Sequence, residues 1–290
     1  MSDERLVLSE KYKAFLKCNA PVEFLEGTTA AGKTTVGLFK FMLKVAESPK
    51  KLHILAADDT GAARRILSRK TLESWMISGV LVEYKGNGSG EYKMPHLLFH
   101  TSAGDKIVFV VGYGNKSKWK DALGGQYGCL YIDEINTADI EFVREAAMRS
   151  DYLMATLNPD DPGLDVYKEY INCSRPLPEW GDDTPQEIKD DLKEEPKPGW
   201  VHWFFSFADN AGLPKTMLDR IMANTPKGTK IWKNKIQGLR GKATGLIFPN
   251  FDRKKHVVSA SWLKTADQAG SIRFKKFTAG LDTSYSSKSP

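Results

Sequence analysis

Cysteine is scarce. Cys18, Cys129 and Cys173 stand far apart in a chain of 290 residues. Three widely spaced thiols make neither a disulfide framework nor a metal-ligand cluster, and the pattern reads as that of a chain kept in a reducing cytoplasm. Long apolar runs are also missing. A membrane-spanning helix needs about 20 consecutive apolar residues, and no stretch approaches that. The opening residues Ser2-Asp3-Glu4-Arg5 are polar and charged where a secretory leader would be apolar. No membrane partner is expected. A large excess of one charge is lacking too: 42 Lys and Arg stand against 36 Asp and Glu, a net charge of +6. That is compatible with a polyanion such as DNA but does not single one out. The length allows one large domain or two modest ones.

What is present begins at Gly27. The octapeptide Gly27-Thr28-Thr29-Ala30-Ala31-Gly32-Lys33-Thr34 fits G-x-x-x-x-G-K-S/T at every fixed position. Two glycines permit a tight loop whose backbone N–H groups turn inward on an anion. The helix that follows points the positive end of its dipole at the same place. Residues 22–26 read as a short strand and residues 35–45 as an apolar helix, the flanks that separate a phosphate loop from a chance glycine turn. Gly27 through Thr35 would then hold ATP. Lys33 would contact the β- and γ-phosphates, and the Thr34 hydroxyl would be a ligand of Mg²⁺.

A second motif follows. Cys129-Leu130-Tyr131-Ile132 is a buried-strand run that ends in Asp133-Glu134. Such a run is common, but it gains weight behind a complete phosphate loop. Asp133 would hold Mg²⁺ through its water shell, and Glu134 would polarise the attacking water. The run 152–157 is a further strand, with Asn158-Pro159 behind it. Strand ends line the ligand crevice of a doubly wound sheet, so Thr156 and Asn158 are placed to sense the γ-phosphate.

The remaining chain reads as elements around these motifs. Residues 9–17 form a helix with Tyr12, Phe15 and Leu16 on one face, either packed on the core or lying near the adenine. Residues 52–57 are a buried strand in which His53 is a core histidine. A helix runs over 62–75. Strands at 97–100 and 106–112 flank a turn at Gly104. The basic stretch 114–120, with one aromatic at Trp119, is either a solvated loop or a contact for nucleic acid or a neighbouring subunit. Residues 175–199, rich in Pro, Asp, Glu and Lys, have the composition of a mobile surface excursion. A strand over 200–207 and helices over 214–222 and 230–239 complete the series.

Together these stretches resemble the large terminase subunit of tailed bacteriophages. The matching pieces are the phosphate loop, Tyr131-Ile132-Asp133-Glu134-Ile135-Asn136, Thr156-Leu157-Asn158-Pro159, and Asp209-Asn210 with Leu213-Pro214. Residues 235–251, ending Leu246-Ile247-Phe248-Pro249-Asn250-Phe251, and His256-Val257-Val258 complete the set. The resemblance implies an α/β fold: an ASCE-type P-loop NTPase with a mainly parallel sheet flanked by helices. It implies an ATPase domain over 1–240 with a small helical subregion, a linker over 241–272, and the first strand of a truncated RNase H-like nuclease over 273–290. Asp282 would be the first metal-binding carboxylate of that nuclease. No later carboxylate joins it, so DNA cleavage is not expected.

The implied function is an ATP-hydrolysing motor that moves double-stranded DNA into a procapsid in the host cell cytoplasm. Its implied cofactors are ATP and Mg²⁺. Its implied partners are the portal protein, the small terminase subunit and further copies in a ring, with a monomer free in solution. Two departures stand out. Related loops often carry an arginine near Thr28 or Thr29, and this one does not. The arginine finger is not fixed by any motif; Arg144 and Arg149 are its candidates, with Lys118 and Lys120 behind them because a lysine lacks the bidentate fork. A helicase-like remodelling ATPase is the alternative, and a nucleotide-gated scaffold without turnover a third.

Overall fold

A computed structural model describes residues 7–66, 81–114, 116–241 and 257–270. The chain forms two compact units, Met1–Ala243 and Thr244–Pro290. In the second unit the described element is the helix Ala260–Gln268, on which Trp262 is exposed. The candidate site lies wholly in the first.

The first unit is built on one sheet. Its strands are β1 (Val22–Gly27), β2 (Leu52–Ala57), β3 (Leu81–Lys85), β4 (His96–Thr101), β5 (Gly104–Gly112), β6 (Tyr127–Ile132), β7 (Ser150–Leu157) and β8 (Trp200–Phe205). Their order across the sheet is β3-β4-β5-β2-β6-β7-β1-β8. From β5 to β8 every neighbouring pair is parallel, while β3 and β4 close one edge antiparallel. The parallel strands are near-continuous apolar runs, as burial on both faces requires. All six residues of β6 are buried.

Alternation along the strands splits the core in two. Leu25, Leu55, Val110, Tyr131, Met154 and Trp203 face one side. Helices α1 (Glu10–Lys17) and α2 (Lys33–Glu47) cover it with Tyr12, Phe15, Phe41 and Met42. Phe24, Ile54, Phe109, Leu130, Ile132 and Leu153 face the other side. There α4 (Lys116–Ala122) and α5 (Ile140–Met148) supply Trp119 and Phe142, while α6 (Asp165–Glu169) and α7 (Gln186–Asp191) supply Val166, Tyr167 and Ile188. α3 (Thr60–Ile66) follows β2, and α8 (Lys215–Ala223) follows β8. The rest of the helix expected over 62–75 lies outside the described residues.

Several expectations need correction. Residues 114–120 are not a solvated loop: α4 spans most of them. Trp119, Ala122 and Leu123 fall at i, i+3 and i+4 and are buried, with Trp119 edge-on to Phe142 at 5.7 Å between ring centres. The segment 175–199 is not a loose excursion either. Ile188 and Leu192 enter the core, and the Arg175 guanidinium donates to the carbonyls of Asn172, Ser174 and Glu194. No expectation covers β3, which becomes a strand by pairing with β4. The helix expected over 230–239 widens instead into a π-turn, Trp232–Ile236. The end of this turn docks on the phosphate loop, where the Lys235 carbonyl accepts Thr29 N–H at 2.8 Å. The helix α2 begins at Lys33, so Lys33 and Thr34 are already helical.

Buried charge ties the ends of the fold together. Glu23, fully buried in β1, accepts from Lys40 at 2.6 Å, Tyr152 at 2.7 Å and Trp203 at 3.0 Å. Three residues on, Glu26 receives both arms of Arg240, at 2.8 and 2.7 Å, and His202 at 2.8 Å. Burial by itself would raise the Glu26 pKa; the Arg240 charge and the bonds from Arg240 and His202 outweigh it and hold the carboxyl at about 2. Burial also pulls His202 below the ordinary histidine range. Arg240 thus fastens the end of the first unit to the strand that leads into the phosphate loop. Removing one partner strands the other charge in the core, which costs about 3–5 kcal/mol. Arg240→Ala should therefore lower the stability of the first unit by that order, read as a fall in the urea midpoint. A change below about 1 kcal/mol would show that the pair is incidental.

Candidate nucleotide-binding site

The site sits at the carboxyl ends of β1, β7 and β6, three adjacent strands. The loop after β1 starts with a close approach. A Cβ on Gly27 would lie 1.7 Å from the Phe205 carbonyl oxygen, and that oxygen accepts Thr28 N–H at 3.0 Å. Only glycine permits this backbone contact with β8. The loop is braced from outside at three more points. The Ala30 carbonyl accepts Asn210 Nδ2 at 2.7 Å, the Ala31 carbonyl accepts the Tyr12 hydroxyl at 2.8 Å, and Thr29 N–H is held by Lys235. Ala30 has a φ of 51°, in the left-handed region. Gly32, with a φ of 91°, turns the chain into α2. The first N–H groups of that helix have no acceptor within it and carry the positive end of its dipole. The Thr28 hydroxyl oxygen is buried without a partner.

Lys33 is 7 % exposed. Its ammonium donates to the carbonyls of Gly27 at 3.1 Å and Thr28 at 2.6 Å and to Asn158 Oδ1 at 3.2 Å. Burial drives its pKa down to about 7; the Lys235 charge adds to the fall, and Glu26, Asp133 and Glu134 oppose it. An ammonium short of anions among carbonyl oxygens is the counterpart of a polyphosphate.

Asp133 gathers three hydroxyls on one oxygen. Oδ1 accepts from Thr156 at 2.7 Å, Thr34 at 3.1 Å and Tyr131 at 3.3 Å. A hydroxyl from the loop helix and a carboxylate from the end of β6 therefore stand side by side, the hard oxygen donors that Mg²⁺ takes. This donor set fits the ion. Glu134 is exposed and has a φ of 50°; with Ala30 it is one of two non-glycine residues at positive φ among the described residues. Such a conformation costs of the order of 1–3 kcal/mol and is characteristic of functional turns. Glu134 N–H lies 3.4 Å from Thr156 Oγ1, and Asn158 Nδ2 approaches Glu134 Oε1 at 3.5 Å. The Tyr113 hydroxyl clamps the turn from behind, contacting the carbonyls of Asp133 at 2.9 Å and Glu134 at 3.2 Å. Beside Glu134 opens a cavity of about 240 Å³ whose walls include Asn158, Asn136, Asp160, Asn234 and Lys235.

The fold thus brings Lys33, Thr34, Asp133, Glu134, Thr156 and Asn158 into one site. Thr35 lies exposed on α2. The arginines lie elsewhere. Arg144 forms a two-armed bond with Glu169, and Arg149, just before β7 and so at the strand end opposite Thr156, is bonded to Glu145. Both line a separate cavity of about 410 Å³ with Trp119 and Lys120. The side chain of Lys118, the expected nuclease strand and Asp282 lie outside the described residues. Sequence reasoning misses Tyr113, Asn210 and Lys235 as parts of the site. It places Tyr12 near the nucleotide only through the proximity of that segment to the loop in the chain.

The order β8-β1-β7-β6-β2, with one strand inserted between the strand before the glycine loop and the Asp-Glu strand, is that of the ASCE-type P-loop fold. Within that class the fold is that of the large-terminase ATPase domain. The large terminase of a thermophilic bacteriophage superposes with a TM-score of 0.63 at 20 % identity, over 87 % of this chain and 58 % of that one. The same protein in complex with ATP-gamma-S gives 0.60 at 18 % identity, over 87 % and 57 %. The large terminase ATPase domain of Thermus phage P74-26 gives 0.58 at 12 % identity, over 80 % and 94 %. The chain thus spans 58 % of the length of the first of these proteins. No protein-family model and no curated protein matches it.

A titration follows from the Lys33 environment. The folded pKa of about 7 lies below the unfolded lysine value of 10.5. As pH rises through 7 the folded protein releases this proton while the unfolded chain keeps it, so stability from this group grows until the unfolded value is reached. Between about pH 7 and pH 9 the wild type should gain of the order of 1–3 kcal/mol relative to Lys33→Met in urea unfolding without nucleotide. A pH-independent difference would show that Lys33 keeps an ordinary lysine pKa.

Proposed function

We propose that this chain is the ATP-hydrolysing motor subunit of a viral DNA-packaging terminase, driving double-stranded DNA into a procapsid. The observation that carries the proposal is the meeting of Lys33, Asp133, Glu134, Thr156 and Asn158 at the ends of three adjacent strands, in a fold that superposes on large-terminase ATPase domains. The loop Gly27–Thr34 would bind the phosphates through the N–H groups not already given to Phe205 and Lys235, with Lys33 turning from its carbonyl cradle to the β- and γ-phosphates. Thr34 and Asp133 would hold Mg²⁺, which would supply positive charge to offset that of the phosphates. Glu134 orients a water and accepts its proton. Thr156, bonded to Asp133, and Asn158, bonded to Lys33 and close to Glu134, register whether a terminal phosphate is present. Thr156 lies on β7 and Asn158 just beyond its end, so a change at the phosphate is felt in the centre of the sheet.

Arg144 and Arg149 are tied to carboxylates of their own chain and away from the Glu134 cavity. A finger role for either requires its release towards a neighbouring subunit. The wider setting follows from the same proposal: a ring of copies on a portal protein, a small terminase subunit, and a host cell cytoplasm. No particular observation favours the helicase-like alternative.

The test is phosphate release with and without double-stranded DNA. Lys33→Ala should abolish turnover and weaken ATP binding. Glu134→Gln should bind ATP as the wild type does yet hydrolyse it at least about 100-fold more slowly, the lower range for loss of a general base. Turnover unaltered in both variants would overturn the assignment. An arginine supplied in trans is worth about 10³–10⁵ in rate. Turnover per subunit should then rise with protein concentration, and Arg144→Ala or Arg149→Ala subunits, inactive alone, should regain turnover when mixed with Glu134→Gln subunits if that arginine is the finger, because the Glu134→Gln neighbour still lends it.

A further inference from the structure

We propose that Lys235 is a second phosphate-contacting cation of this site, acting from within the same chain on the terminal phosphate of a bound nucleoside triphosphate. The proposal rests on the nucleotide-binding reading above and adds a residue to which the sequence reading gives no role.

Three lysines lie close together in the segment 230–235, and two are neutralised. Lys230 pairs with Asp160 at 2.5 Å and Lys233 with Glu187 at 2.5 Å. Lys235 is half-buried and has no carboxylate partner among the described residues. It lines the cavity that also contains Glu134 and Asn158, the two residues at the γ-phosphate end of the site. A partly desolvated ammonium without an anion is unfavourable, and a polyphosphate would relieve it. Asn234, 5 % exposed, lines the same cavity and leaves its Oδ1 without a partner. The Lys235 ammonium calls for an anionic acceptor, which a terminal phosphate supplies; the Asn234 oxygen calls for a donor, which a phosphate does not.

The backbone of Lys235 is held against the loop it would serve. Its carbonyl accepts Thr29 N–H, and the neighbours Asn234 and Ile236 are buried. Gly238, with a φ of 67°, brings the chain so near that a Cβ there would meet Phe204 at 2.9 Å and Thr28 at 3.2 Å. The π-turn around Lys235 accompanies this docking, since Gln237 N–H reaches back to the Trp232 carbonyl at 3.1 Å. A cation on a rigid support next to the reacting phosphate stabilises developing charge without reorganising. The loop itself supplies no arginine at Thr28 or Thr29, and Arg144 and Arg149 are engaged elsewhere, so Lys235 is the unpaired cation left beside Glu134 among the described residues.

The test compares ATP-gamma-S with ADP, binding measured by calorimetry with Mg²⁺ present, in the full chain and in Lys235→Gln and Lys235→Arg. The Thr29–Lys235 bond uses backbone atoms and survives both substitutions. Lys235→Gln should keep ADP affinity within about twofold and lose about tenfold for ATP-gamma-S, the worth of one charge-assisted hydrogen bond. Lys235→Arg should recover most of that loss. Equal weakening of both nucleotides, with a lowered thermal midpoint, would assign Lys235 a structural role; unchanged affinity for both would leave it no role. Either overturns the proposal, while Lys33→Ala still impaired would leave the nucleotide site standing. If the wild type binds neither nucleotide, the site reading itself fails and this proposal with it.

Discussion

One oxygen, Oδ1 of Asp133, connects the parts of this molecule. It accepts hydroxyls from α2, β6 and β7, so the loop helix, the Asp-Glu strand and the strand between them share a single acceptor. Three donors on one carboxylate oxygen exceed its two lone-pair directions. The Tyr131 bond, at 3.3 Å, is the longest of the three and the Thr156 bond, at 2.7 Å, the shortest. An arrangement so crowded is held by the elements around it. β7 must lie between β1 and β6, and the turn after β6 must be clamped by Tyr113.

The second constraint is the handling of charge inside the sheet. Glu23 and Glu26 lie on β1, among the most buried strands. Each is matched by a cation from a different element, Lys40 of α2 or Arg240 near the end of the first unit. These pairs set where helix and chain end lie relative to the strand, because a carboxylate left alone there would be costly. Lys33 is different. Its bonds go to two carbonyls and an amide, and burial lowers its pKa. The structural cations are matched, whereas the loop cation is left in need of an anion.

Strain follows the same division. Among the described residues, the left-handed ones without a glycine excuse are Ala30, in the loop, and Glu134, in the turn. The π-turn at 232–236 docks on the loop from outside. Each of these departures from regular backbone lies within the shell of the site, and the bonds from Asn210, Tyr12, Tyr113 and Lys235 over-determine it. Local irregularity survives where surrounding contacts outnumber the strained bonds.

The phosphate loop and the Asp133-Glu134 pair were legible in the sequence because their chemistry depends on neighbours in the chain. Two glycines at fixed spacing make the loop, and an apolar run makes the strand whose end carries the carboxylates. Thr156 and Asn158 were legible for the same reason. The depth of burial was less so: a basic stretch around Trp119 hid a helix, since one aromatic decides how the whole turn packs. Tertiary structure alone decided the strand order, which is a choice among distant partners and leaves no local spelling. It alone decided that Tyr12, Asn210 and Lys235 brace the loop, because they do so through backbone atoms of the loop, and every residue offers a carbonyl or an N–H. It also decided that Arg240 answers Glu26, 214 positions away. A motif records which groups stand next to one another in the chain, while only folding records which buried charge must find its partner across it.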